Sequence, residues 1–181
     1  MKLKVTELKK LLKNYDQKQL IQLVADLYKN NKDVQSYLSV QFLGEEAGTE
    51  LFNEAKIKVG NEFFPAKGHG KLRLSEAKKA ISNFKKTTNN LLLTTELMLY
   101  YVEQGVGFTN TYGDIDERFY TSMETMYEKV ITICNEEEEF IHIFEERLRE
   151  IVTAKDGIGW GFHDQLSGLF GELDPYGDHN D

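Results

Sequence analysis

Apolar residues recur at three- and four-residue spacing along almost the whole of this 181-residue chain, and only Pro65 and Pro175 could break such a pattern through the backbone. Residues three and four apart share one face of an α-helix, so this spacing marks stripes that helices turn toward a common core. Proline ends or kinks helices, and its scarcity leaves long segments free to form them. Alternation of period two never extends beyond a few residues, with Leu72 and Leu74 as the one candidate for a very short extended piece. The expected fold is all-α, an irregular multi-helix bundle of about eight or nine helices.

The stripes can be placed individually. Val5, Leu8, Leu11 and Leu12 predict a short first helix with Thr6 as its N-cap. Asp16 caps a second, marked by Leu20, Ile21, Leu23, Val24, Leu27 and Tyr28 and ended at Asn30-Asn31. A third runs through Val34, Tyr37, Leu38, Gln41 and Phe42 to Gly44, and a fourth through Leu51, Phe52, Ala55, Val59 and Phe63 to Pro65. Ser75-Glu76 opens a fifth helix, and Asn89-Asn90 interrupts it. Residues 91–103 are apolar nearly all round, which predicts the most buried helix. Gly105 to Gly113 reads as a loop, after which Asp114 caps a helix striped by Phe119, Tyr120, Met123, Met126, Tyr127, Val130 and Cys134. Glu136 to Glu139 begins the next, since acids suit a helix N-terminus. Gly157-Ile158-Gly159-Trp160-Gly161 breaks the chain before a last helix at Leu166, Leu169, Phe170 and Leu173.

The segment from Pro65 to Leu74 is the best internal linker. It suggests a basic N-terminal helical subdomain at 1–66, a loop at 67–73, an acidic C-terminal subdomain at 74–174 and a flexible tail at 175–181, with a shared core as the alternative. The charge follows the same division. Residues 1–90 hold 17 Lys and Arg against 10 Asp and Glu, a balance of +7, while residues 91–181 hold 5 against 20, a balance of −15. Such asymmetry suits solvated helix faces first, mutual attraction of the two halves or of two copies second, and an acidic partner third. Arg73 is the only arginine of the basic half, and nucleic-acid recognition favours arginine, so nucleic acid is disfavoured as a partner.

A single cysteine, Cys134, excludes an internal disulfide and argues against a secreted scaffold. The start turns polar at once, without the apolar core of a signal peptide. The longest dense apolar stretch, Leu91 to Val102, falls short of the roughly 20 residues that span a bilayer. A cytoplasmic protein without membrane contact is expected.

Chemistry-bearing patterns are sparse. Glu139 and His142 form a Glu-x-x-His, which puts both side chains on one helical face, but carboxylate-bridged metal bundles need two such motifs and further glutamates. Gly157, Gly159 and Gly161 lack the preceding strand of a dinucleotide loop, and Phe162 stands where a P-loop needs lysine. His163 and Asp164 could work as an acid–base pair, yet neighbours on a helix point about 100° apart. Asp114, Asp116 and Glu117 do not match a calcium loop and read better as a cap with first-turn acids. Cys134 lies in an apolar stripe, where a thiol is an inert core residue. His69 stands between two glycines in a basic loop and reads as exposed. No catalytic residue and no cofactor follow from these patterns. The candidate functional surface is Phe108, Tyr112, Asp114, Asp116, Trp160, His163 and Asp164, around the two glycine-broken segments.

The block Tyr101-Val102-Glu103-x-Gly105-x-x-Phe108-Thr109-x-x-Tyr112-Gly113-Asp114, then Phe119-Tyr120-x-Ser122 and Gly159-Trp160-Gly161-Phe162-His163-Asp164, resembles an uncharacterised family of small all-helical bacterial proteins. The lysine- and leucine-rich opening and Leu74-Ser75-Glu76-Ala77 are similar as well. The resemblance implies a bacterial helical protein and carries no activity or catalytic residue. Residues 3–28 also resemble small basic helix–turn–helix modules of the SAP type, through leucine spacing and lysines alone.

The leading functional expectation is therefore a non-catalytic protein-interaction or scaffold module, binding a protein partner or itself. Two alternatives stand beside it. One is a metal-binding or enzymatic protein using the acids and histidines of the C-terminal half; the other is a weak nucleic-acid binder using the lysines of the N-terminal half.

Overall fold

The computed structural model describes residues 3–154 and 161–173. Among these residues the fold is all-α, with nine helices and no strand. The chain divides into two compact units, Met1–Thr49 and Glu50–Asp181.

The first unit holds α1 (Val5–Leu12), α2 (Gln17–Asn30), α3 (Lys32–Leu43) and the opening turn of α4 (Glu45–Phe63). Local chemistry fixes these boundaries. The Asp16 carboxylate accepts from the Gln19 backbone N–H at 2.8 Å, while the Gln19 side chain accepts from Asp16 N–H at 2.9 Å, a reciprocal cap that starts α2. Asn31 ends α2 and starts α3, its side chain accepting from Asp33 and Val34. Gly44, at φ 65°, closes α3 in a conformation that costs other residues a clash. The first helix departs from the expectation that Thr6 caps it. Lys4 holds the N-cap position, and its N–H is taken by the Glu7 carboxylate at 3.1 Å, so an acid one turn in sets the start.

The second unit holds the rest of α4 with α5 (Leu74–Thr88), α6 (Leu91–Tyr112), α7 (Glu117–Glu136), α8 (Glu138–Thr153) and α9 (Phe162–Gly171). Helix α6 is central, packing against α5, α7 and α8, and α7 also meets α8 and α9. Leu97, Leu99, Tyr101 and Val102 are fully buried on α6, as its all-round apolar character predicts. Each such side chain contributes about 1.5–3 kcal/mol. Thr94 and Thr95 are buried too, and their hydroxyls donate back to the carbonyls of Asn90 and Leu91. Tyr127 on α7 donates to the Leu148 carbonyl of α8 at 3.0 Å. Among the described residues, no buried side-chain nitrogen or oxygen lacks a hydrogen-bond partner. Nor is any described helix long and apolar enough to cross a membrane.

Three local expectations are corrected. Residues 105–112 are not a loop: α6 continues through Gly105 and Gly107 to Tyr112, and Gly113 ends it at φ 89°. The reason is packing. A Cβ on Gly105 would lie 2.2 Å from the Met123 sulfur on α7, so glycine here lets two helices touch rather than letting the chain turn. The cap of α7 is Asp116, which accepts from Phe119 N–H at 2.8 Å, and not Asp114. Leu72 is not extended: it sits at φ 51° and donates its N–H to the Glu62 carbonyl, while Leu74 opens α5.

Gly105 and Gly107 should therefore answer alanine substitution with opposite signs. At Gly107 the new methyl meets only Phe64, at 3.7 Å. Gly107→Ala should stabilise by about 0.5–1 kcal/mol through helix propensity. Gly105→Ala should lose that gain and destabilise by about 1–2 kcal/mol net through the clash. Urea unfolding of the two variants measures both, and equal behaviour would refute the packing account.

Candidate functional site

Of the residues singled out from the sequence, Phe108, Tyr112, Asp114 and Asp116 stand at or beside the α6–α7 connection, and three of these four have structural duties. Phe108 is buried and packs on Phe63, Phe64, Tyr112 and Phe119, with the exposed Tyr112 ring 4.6 Å away. Asp116 is spent as the α7 cap. Asp114 is exposed, and its carboxylate accepts from the Tyr120 hydroxyl at 2.5 Å. That hydroxyl also accepts from the Ile115 backbone N–H at 3.2 Å. Burial, reinforced by the Asp114 carboxylate, pushes the Tyr120 phenol up to about 12. The Tyr120 ring meets Phe162 of α9 at 4.9 Å, so this lock joins the α6–α7 connection to the last helix. His163 is half-buried and lines a crevice of about 10 Å³ with Thr109 and Asn110, room for about one water. Asp164 is exposed, and Trp160 lies outside the described residues.

The metal candidates Glu139 and His142 are both exposed on α8. Among the described residues, no group of three His, Cys, Asp or Glu side chains converges as metal ligands do. Cys134 is a buried free thiol whose pKa burial pushes up to about 11, well away from a reactive thiolate.

Three further clusters were not legible beforehand. On one, Lys78 donates to Ser122 at 3.0 Å and Tyr101 shares a 2.9 Å hydrogen bond with the same hydroxyl. A serine between lysine and tyrosine can serve acyl transfer when a base can take its proton. Here Lys78 is exposed, burial pushes Tyr101 up to about 12, and Ser122 lines none of the grooves described below. The cluster ties α5, α6 and α7 together. On the second, Arg147 of α8 binds both Glu103, at 2.7 and 3.0 Å, and Glu96, which also meets Lys56 of α4 at 3.5 Å. Burial works to lower the Arg147 pKa, but the hydrogen bonds and charges of the two carboxylates together outweigh it and hold the guanidinium above its usual range.

The third lies in a polar groove of about 360 Å³ between α4 and α5, lined by Lys58, Glu62, Arg73, Glu76 and Lys79. Glu62 is only 5% exposed, and Arg73 grips it with two guanidinium bonds of 2.7 and 3.0 Å and a backbone N–H at 3.1 Å. The Arg73 side-chain bonds hold the Glu62 carboxyl below the ordinary carboxylate value, against the opposing effect of burial. An arginine fork already filled by an internal carboxylate leaves little for a ligand's anion.

A fourth feature has a different character. Within the first unit, α2 and α3 wall an open groove of about 660 Å³ lined almost wholly by apolar side chains, among them Ile21, Val24, Tyr28, Leu38 and Phe42. From Leu3 to Glu46 no residue is buried. Ile21 is 63% exposed and Phe42 82%. The spacing of these residues predicts stripes facing a core, but three short helices with this many large apolar side chains have too little chain to cover them.

A family model described as a family of unknown function, DUF6155, matches residues 3–170. The chain belongs to this family. Nothing matched among curated proteins or among solved structures. The match takes in both units of this DUF6155 protein, so the groove helices and the α6–α7 core fall within one family pattern.

Two outcomes follow for this family member. Glu62 has a lowered folded pKa, so its contribution is complete above the unfolded carboxylate value of 4.5 and is lost as pH falls through the folded value. Thermal melts from neutral to acid pH should find Glu62→Gln less stable than wild type at neutrality, with the difference closing below about pH 4.5. A constant difference would refute the pairing. Tyr120→Phe removes a donor to Asp114 and an acceptor for Ile115, and should cost about 1–2 kcal/mol in urea unfolding.

Proposed function

We propose that this protein is a bacterial, cytoplasmic, non-catalytic protein-interaction module, and that its docking element is the first unit, which receives an amphipathic helix of a partner protein between α2 and α3. The observation that carries this reading is the apolar groove in a unit that buries no side chain from Leu3 to Glu46. Exposed contiguous apolar surface on a folded chain marks an interaction site. A groove between two helices is the shape that accepts a third helix through anchors at i, i+3, i+4 and i+7. From Leu20 to Lys29 the α2 wall rises about 14 Å, longer than the roughly 10 Å such anchors span.

Nothing comparable supports the histidines and acids of the C-terminal half. Glu139 and His142 face solvent, and Asp114 and Asp116 are engaged in the α6–α7 connection.

Titration calorimetry tests the reading with the intact protein and an uncharged helix-forming peptide carrying leucine at those four positions. Binding should be micromolar, with a negative heat-capacity change from apolar burial. Val24→Asp should abolish it, because an aspartate at the groove wall cannot be desolvated by an apolar anchor. Absence of binding heat at each of two well-separated temperatures, or equal binding by the Val24→Asp protein, would overturn the docking reading.

A further inference from the structure

We infer that the helix received by the α2–α3 groove is acidic along its flanks; this rests on the docking reading above and names the chemistry of the partner. The argument is the placement of charge around an apolar floor. Lys29 itself lines the groove. Lys18 stands eleven residues earlier on α2, three turns away, and so lies within about 20° of Lys29 around the helix. Lys32 opens α3 seven residues before Ser39, a groove-lining residue, and shares its side of the helix. The acids of the same two helices are turned away. Asp26 follows Val24 and precedes Tyr28 by two positions each, which turns it away from the apolar floor, about 60° beyond Lys29 around α2, and Gln22 donates to it at 2.9 Å. Asp33 is nine residues from Phe42, half a turn from the groove. The result is an apolar channel with cations on its rim and no acid of α2 or α3 beside it.

That combination selects among occupants. A second copy would bring the same lysines to face these lysines, and like charges across an interface disfavour the wrong partner. A nucleic acid would satisfy the lysines, but its phosphates gain nothing from a floor of Ile21, Val24 and Phe42; an anionic membrane takes up a protruding apolar helix face, whereas this apolar surface is recessed between two helices. An amphipathic helix with leucine-like anchors and glutamate or aspartate on either side satisfies both floor and rim.

The test uses the full-length protein and fluorescence anisotropy with three labelled peptides of roughly 18 residues. They share leucine at i, i+3, i+4 and i+7 and differ only in carrying Glu, Gln or Lys on the flanks. The Glu peptide should bind about tenfold more tightly than the Gln peptide, and the Lys peptide more weakly still. The gap should narrow on raising salt from about 0.05 to 0.5 M, as the Debye length shortens. The triple substitution Lys18→Glu, Lys29→Glu and Lys32→Glu should reverse the order. Phe42→Ser, at a side chain 82% exposed and therefore tolerated by the fold, should weaken the Glu peptide in wild-type background. Equal affinity for all three peptides would overturn the acidic-partner inference and leave helix docking standing. Failure of all three to bind would overturn both. A concentration-dependent dimer lost on Phe42→Ser, or binding to anionic vesicles or duplex DNA that exceeds the Glu peptide and depends on Phe42, would overturn the inference in favour of that occupant.

Discussion

Helices α6 and α7 meet where α6 lacks a side chain, and the thioether of a buried methionine from α7 takes its place. The space a Cβ would need at Gly105 is filled by Met123, whose sulfur would otherwise stand 2.2 Å from it. This approach brings Tyr101 within reach of Ser122, and lets Phe119 join the ring cluster of Phe63 and Phe108. The Tyr101–Ser122 hydrogen bond and the Phe108–Phe119 ring contact both span α6 and α7 and therefore depend on how these two helices meet. Methionine is well suited to the partner role, as its flexible thioether can settle into an irregular gap.

How much was legible in the sequence depended on how local the deciding interaction is. Asp16 marks a helix start through a bond to a residue three positions on and is read directly from the sequence, whereas Asn31 and Asn90, which read there as interruptions, also cap α3 and α6. Gly105 could not be read the same way. A glycine serves equally as a turn or as a close contact, and only Met123 on another helix decides between them. Asp114 and Asp116 pose a similar choice, since either can cap; the Tyr120 hydroxyl settles it by taking Asp114. Apolar spacing identified the stripes of α2 and α3, but a stripe does not say whether anything covers it.

The charge division of the chain becomes something less uniform in three dimensions. Its ionic contacts are specific rather than diffuse: Glu62 is held by Arg73, and Arg147 with Lys56 neutralises Glu96 and Glu103. The row Glu137 to Glu139 and most lysines of α1 and α2 are left exposed. These partly buried charges are matched within the fold, and the exposed remainder sets the field that an approaching molecule meets. On the proposed reading, the lysines beside the α2–α3 groove belong to that second class.

A segment from Leu3 to Glu46 in which every side chain stays in contact with water carries a physiological consequence. On the proposed reading, a companion seated between α2 and α3 would stabilise the folded unit by mass action. Copies made in excess of that companion would be the ones reached first by proteases, while occupied copies would be spared. The level of this protein in the cell would then track the supply of its companion without any dedicated regulator.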